Sequence, residues 1–255
     1  AVLQAAPLRR GERGEPRLRA RGGRRLSDQD RRTDQAAGPA HERAGGGDRT
    51  DPEPPLDPGP PDDELVERVV DSRVLHHGRY LTFRIDTIER PDGSRSERDI
   101  AGHPGAVAIV AIDAADRVLL VRQWRTPADG VLLEIPAGTL DRDPATGKIE
   151  DPELASRREL EEETGDRAAT WQKLAAFWTA PGFATELMHL YLATDLTPAH
   201  PDERRGPDED EHLRLERLPF ADALAALDRG EIADAKSIAG LLWVDRLRRR
   251  VADDR

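Results

Sequence analysis

The sequence predicts an α+β protein whose strands and helices pack in layers, and three observations support this. Short alternating or wholly apolar runs recur from Val66 to Gly138, as strands require. Helical patterns follow without a regular strand–helix–strand alternation, which suggests an α+β or sandwich-like α/β layer fold. Residues 1–62 carry no apolar periodicity at all, so the fold begins after them.

The first 62 residues are rich in Arg, Gly, Pro and Asp and run into "DPEPPLDPGPPDDE", residues 51–64. Such a segment cannot bury enough surface to offset its ordering entropy and reads as a disordered, dispensable tail. "RVLHHGRYLTFRIDTIERPDG" then alternates apolar and polar residues and reaches a Pro-Asp-Gly turn, predicting a β-meander with a hairpin near residues 91–93. "GAVAIVAID", "RVLLVRQWR" and "VLLEIPAG" are buried-type strands, followed by a loop at 141–149. Asp151 is suited to cap a helix, with Pro152 at its first position, Glu153 in its first turn and Gly165 as its left-handed stop. "WQKLAAFWTAPG" and "ELMHLYLATDL" add two strands, and an acidic loop runs from Thr197 to Glu211. "LRLERLPF" and the amphipathic helices "ADALAALDRG" and "AKSIAGLLWVDRLRRRV" close the chain. Trp124, Trp171, Trp178 and Trp243 are expected in the core, as are Leu154 and Leu160 of the capped helix.

Composition narrows the function. Residues 1–50 hold 12 Arg against 7 acids, a net +5, which leaves −16 on residues 51–255. An acidic body argues against a nucleic-acid groove on the folded part. There is no cysteine, no run long enough to span a bilayer and no secretory leader pattern at the start, which together fit a cytoplasmic protein. His76 and His77 have no ligand spacing to other histidines.

The capped helix holds the most informative stretch, "RRELEEETG". Glu159, Glu162 and Glu163 lie i, i+3, i+4 on one face, whereas Glu161 falls off it. Each exposed like-charge pair costs only ~0.2–0.5 kcal/mol, and Arg158 can bridge to Glu162, so a plain solvated face is one reading. The other is a cation site. The helix follows a strand ending in a Pro-Ala-Gly turn, which can bring a backbone carbonyl beside the carboxylates. Carboxylate and carbonyl oxygens are the hard ligands that Mg²⁺ and Mn²⁺ prefer.

Glu150, seven residues and then "RELEEETG" resemble the Nudix box, G-x5-E-x7-R-E-U-x-E-E-x-G-U with U aliphatic. Two positions depart from it: Gly138 stands twelve residues before Glu150 instead of six, and Asp166 occupies the last aliphatic position. The insertion falls in a loop, where added length is cheap. Pro181, sixteen residues beyond Gly165, together with "HPGAVAIVAID", "VRQWR" and "LLEIPAG", resembles the ADP-ribose pyrophosphatase group of that family.

The resemblance implies a Nudix-type α/β/α sandwich over residues 104–255 with an N-terminal β arm over residues 63–103. It implies Mg²⁺, with Mn²⁺ as substitute, held by the Ala137 carbonyl, Glu159, Glu162 and Glu163 and oriented by Arg158. Arg125 and Arg98 match arginines that contact substrate, Pro181 marks the substrate loop, and Phe83 or Tyr80 would stack on the base. Glu209 or Glu211, on the acidic loop, would position the attacking water. The implied reaction is hydrolysis of ADP-ribose to AMP and ribose 5-phosphate by a homodimer whose arms cross, with Arg98 acting in trans. Other nucleoside-diphosphate-sugar or dinucleotide pyrophosphatases, and a non-catalytic ADP-ribose sensor, are the alternatives.

Overall fold

The computed structural model describes residues 63–143, 145–200, 206 and 212–253, all within one compact unit. The expected tail, residues 1–62, and the loop glutamates Glu209 and Glu211 lie outside the described residues. Among the described residues no helix is long and apolar enough to cross a membrane.

The arm is the expected meander: β1 (Arg68–His77), β2 (Thr82–Glu89) and β3 (Arg95–Gly102), antiparallel in that order. The β2–β3 hairpin turns through "RPDGS", where Gly93 has φ 78° and Asp92 Oδ1 accepts the Ser94 N–H at 2.9 Å. A positive φ there suits glycine because it carries no Cβ. β1 is exposed along its whole length, and Ile88 is the one fully buried apolar side chain of the three strands. Three strands with so little core need another surface to be stable. β3 takes part of it from the body, since the Ala101 N–H donates to Phe183 O at 2.7 Å and Ala101 O accepts the Thr185 N–H at 3.0 Å.

The body contains two further sheets. In the first, β7 (Ala137–Thr139), β4 (Ala106–Ala111), β9 (Leu187–Pro198) and β8 (Asp166–Trp178) lie side by side, with β4 parallel to β9 and the other pairs antiparallel. The second is antiparallel, with β10 (Leu213–Pro219), β5 (Arg117–Arg125) and β6 (Gly130–Glu134). β4 shows why helices cover both faces. Its alternate residues Ala106, Ala108 and Val110 join a cluster with α2 (Phe220–Asp228) and α3 (Ala235–Asp253), while Val107, Ile109 and Ala111 join Ala155 and Leu160 of α1 (Pro152–Thr164). Period-two alternation with both faces apolar reads as a continuous hydrophobic run, and each fully buried Val, Leu or Ile contributes roughly 1.5–3 kcal/mol. The result is the α/β/α sandwich. Gly240 lets α3 lie close on the sheet, because a Cβ there would sit 2.8 Å from Val110 Cγ2.

Several expected core residues are not in the core. Trp124, Trp178 and Trp243 are exposed; only Trp171 packs, half-buried, on the α1-side cluster. Trp124 pairs across the β5–β6 hairpin with Val131, which is equally exposed. Trp243 follows the inward-facing Leu241 by two positions, so helical geometry turns it outward. Leu154 is exposed for the same reason, and Ala155 and Leu160 take the inward positions of α1. Glu161, expected off the functional face, is buried and paired with Arg167 at 2.9 Å.

Candidate active site

The site is built on α1, whose ends form as its local residues dictate. Asp151 is extended and its side chain accepts the N–H groups of Glu153 at 2.9 Å and Leu154 at 3.2 Å, satisfying two otherwise orphan donors. Gly165, at φ 72°, returns its N–H to Glu161 O, and its own carbonyl accepts the Ala199 N–H at 2.9 Å. Both ends of the helix are thereby fixed, and with them the direction of its glutamates. Asp166, where the family pattern has an aliphatic residue, is buried and paired with Arg217 of β10 at 2.6 Å.

Arg158 organises the carboxylates. Its Nη1 lies 2.7 Å from Glu159 Oε1 and 3.0 Å from Glu162 Oε2, and its Nη2 lies 2.8 Å from Glu150 Oε2. Burial alone would lower the guanidinium pKa, but the ion pairs with Glu150, Glu159 and Glu162 prevail and hold it well above its ordinary value. The inserted loop explains how Glu150 arrives there despite six extra residues. Asp143 Oδ1 accepts the N–H groups of Ala145 and Thr146, and Asp141 and Glu150 are joined by a backbone hydrogen bond of 2.8 Å. The insertion closes on itself and leaves the spacing of the site intact.

β7 faces α1 at close range. The Ala137 N–H donates to Glu163 Oε2 at 3.1 Å. A Cβ on Gly138 would lie 1.9 Å from the carboxyl carbon of Glu159, so only glycine leaves this carboxylate its place. Glu159 and Glu163 are both buried.

The donor set fits a hard divalent cation: three carboxylates beside the Ala137 backbone, with a cradle that a Cβ would fill. Among the described residues no three acidic or histidine side chains already converge as a metal cluster. The hydrogen bonds account for this, because Arg158 draws Glu159 and Glu162 toward itself and the Ala137 N–H engages Glu163.

Ala137, Arg158, Glu159 and Glu162 border a cavity of ≈ 630 Å³ that also reaches Tyr80, His103, Arg125, Glu134, Glu186 and Lys236. Arg125 and Lys236 share the deeply buried Glu134, at 2.7 and 3.1 Å, and Lys236 also meets Asp234 at 2.9 Å. Arg125 is brought to the cavity as expected. Phe83, Arg98, Pro181 and Glu163 do not line it. Phe83 is exposed with its ring 6.4 Å from that of His76, the Arg98 Nε donates to Glu67 at 3.1 Å, and Pro181 is exposed in its turn. Tyr80 does line the cavity, with the Arg79 guanidinium 4.7 Å above its ring. Sequence reasoning missed Glu134, His103, Glu186 and Lys236. Glu134 was detectable as a lone charge inside an apolar strand; the others carry no local signal.

Comparison with known proteins agrees with this geometry. Residues 102–241, more than half of the chain, match the NUDIX domain. The chain is 37% identical over 180 residues to the ADP-ribose pyrophosphatase of Bacillus subtilis (strain 168), covering 71% of this chain and 93% of that protein. It is 33% identical over 184 residues to the GDP-mannose pyrophosphatase of Cronobacter sakazakii, covering 69% and 91% of the two. A solved structure described as an ADP compounds hydrolase superimposes with a TM-score of 0.60 at 24% identity, over 71% of this chain and 93% of that one, and so shares its fold. Arginine, glutamates and glycine at box spacing, on a capped helix over a glycine cradle, are what this family requires, and the chain belongs to the Nudix hydrolases.

Proposed function

We propose that this Nudix pyrophosphatase acts on a nucleotide sugar, with ADP-ribose as the substrate hydrolysed to AMP and ribose 5-phosphate. The observation that carries the reading is one cavity bordered both by the box carboxylates and by the cations Arg125 and Lys236. Cations aimed at a pyrophosphate suit a reaction in which charge accumulates on phosphoryl oxygens. Glu159, Glu162, Glu163 and the Ala137 carbonyl would hold Mg²⁺, or Mn²⁺ in its place, which when bound supplies Lewis-acid polarisation of the phosphoryl group. Arg158 keeps the glutamates in register, Arg125 binds phosphate, and Tyr80 offers its ring to the base. Glu209 or Glu211 would position the attacking water. The intact glutamate set speaks against a sensor that binds without cleaving.

The similarity to a GDP-mannose pyrophosphatase motivates a second reading in which the base and sugar differ. Comparing kcat/KM for ADP-ribose, GDP-mannose and NADH with purified protein separates the two. ADP-ribose leading by at least tenfold is the expected ranking, and GDP-mannose in first place would replace the primary reading with the second.

The exposed edge of β1, with Val69, Val70, Val74 and Leu75 uncovered, supports homodimerisation through the arm. Light scattering at micromolar concentration is expected to report two chains; a fully active monomer would contradict it. Deleting residues 1–60 is expected to leave both the fold and hydrolysis intact, since that segment has no core-forming pattern. A truncated protein that precipitates would move the domain boundary.

A further inference from the structure

We propose that His103 is a positioning residue that holds the Glu186 carboxylate in the cavity as an acceptor for the hydroxyl groups of the substrate's terminal sugar. The inference deepens the nucleotide-sugar reading and rests on it. His103 joins the arm to β4, and its backbone is pinned on both sides: its N–H donates to Thr185 Oγ1 at 2.8 Å, and the Thr185 hydroxyl donates to His103 O at 3.1 Å. The ring is fixed as well. The Gly105 N–H donates to His103 Nδ1 at 3.0 Å, so Nδ1 is the acceptor and a neutral ring carries its proton on Nε2. That Nε2 lies 3.7 Å from Glu186 Oε1, with the His103 side chain 12% exposed. Burial keeps the imidazole neutral, lowering its pKa against the opposing pull of Glu186. The second Glu186 oxygen accepts the Thr179 hydroxyl.

His103, Thr179 and Glu186 all line the cavity that holds the box carboxylates. An ionised carboxylate only accepts hydrogen bonds, so it repels phosphate and selects donors. A nucleotide sugar offers donors in its base amino group and in both sugars; with Tyr80 placed for the base, the hydroxyl-rich terminal sugar is the part assigned to Glu186, and ADP, which keeps the base and its ribose, is the control. At 3.7 Å the His103–Glu186 contact is electrostatic and orienting rather than a direct hydrogen bond, so its loss has a moderate effect.

Two variants separate the roles of the two ring nitrogens. His103→Asn retains an acceptor near Nδ1 and loses the Nε2–H; His103→Gln retains a donor near Nε2 and loses the Nδ1 acceptor. Calorimetric Kd values for ADP-ribose and for ADP, taken in EDTA to prevent turnover, are the readout, with melting temperature alongside. His103→Asn is expected to weaken ADP-ribose about three- to tenfold, with ADP affinity and melting temperature unchanged. His103→Gln is expected to lower the melting temperature while ADP-ribose binding stays within about twofold of the parent. Parental ADP-ribose affinity in His103→Asn, or an equal loss for ADP, overturns the proposal. A parent that binds ADP-ribose tightly but never hydrolyses it defeats the pyrophosphatase reading and leaves the His103 result interpretable by itself.

Discussion

Glu163→Gln is expected to reduce hydrolysis by roughly 100-fold or more, since even the outer-shell partners of metal ligands cost about 10–100-fold, while the metal-free protein keeps its stability. Glu163 is almost fully buried, and its Oε2 accepts the Ala137 N–H, a bond that the glutamine carbonyl oxygen can still accept. The substitution removes a charge and little shape. The parent should gain stability from Mg²⁺ by mass action, ~2.7 kcal/mol at a free concentration one hundred times Kd. The variant should lose most of that gain. Glu153→Gln is the proper control, since Glu153 is exposed and pairs with Arg157 one turn away, a contact worth ~0.3–0.5 kcal/mol. Glu161 cannot serve, because its buried pair with Arg167 makes Glu161→Gln a structural lesion. Parental turnover in Glu163→Gln would remove this residue from the metal site.

Gly138→Ala should be nearly as damaging to activity and only mildly destabilising to the fold. The three atoms nearest an added Cβ, at 1.9 to 2.4 Å, belong to the Glu159 carboxylate, the far end of a flexible side chain. The backbone of Gly138 is not in the left-handed region, so alanine is conformationally acceptable there. The protein can yield by swinging Glu159 away, at a cost of ~1 kcal/mol for the displaced contacts. Turnover has no such escape, because Glu159 is then withdrawn from both Arg158 and the cation site. The expected result is a folded enzyme with a slightly lower melting temperature and about 100-fold less activity. Near-parental hydrolysis would show that Glu159 is not needed where the structure places it.

Much of the fold was legible because its signals are local. The Asp151 cap, Pro152, Gly165 and the Pro-Asp-Gly hairpin each act within a few residues, and each element formed where they predict. The glutamate face was legible because i, i+3, i+4 spacing is a property of the helix alone. The second wall of the cavity was not. Glu186 reaches it because β9 pairs in parallel with β4, bringing the start of β9 beside the His103–Ala106 segment, and Lys236 arrives on α3. Such juxtapositions depend on tertiary pairing between segments more than 80 residues apart, which no short-range pattern encodes. The tryptophans failed differently. Hydrophobicity says that a residue favours burial, but register decides which face it occupies, and Trp124 and Trp243 lie on outward positions.

Phosphorus NMR of ADP-ribose incubated with the purified protein, first with Mg²⁺ and then with excess EDTA, reads the proposed cleavage and its metal dependence together. The pyrophosphate resonances are expected to give way to two phosphomonoester signals, those of AMP and ribose 5-phosphate, and EDTA is expected to stop the conversion. An unchanged pyrophosphate spectrum with Mg²⁺ and again with Mn²⁺, or cleavage that continues at the same rate in EDTA, would contradict it.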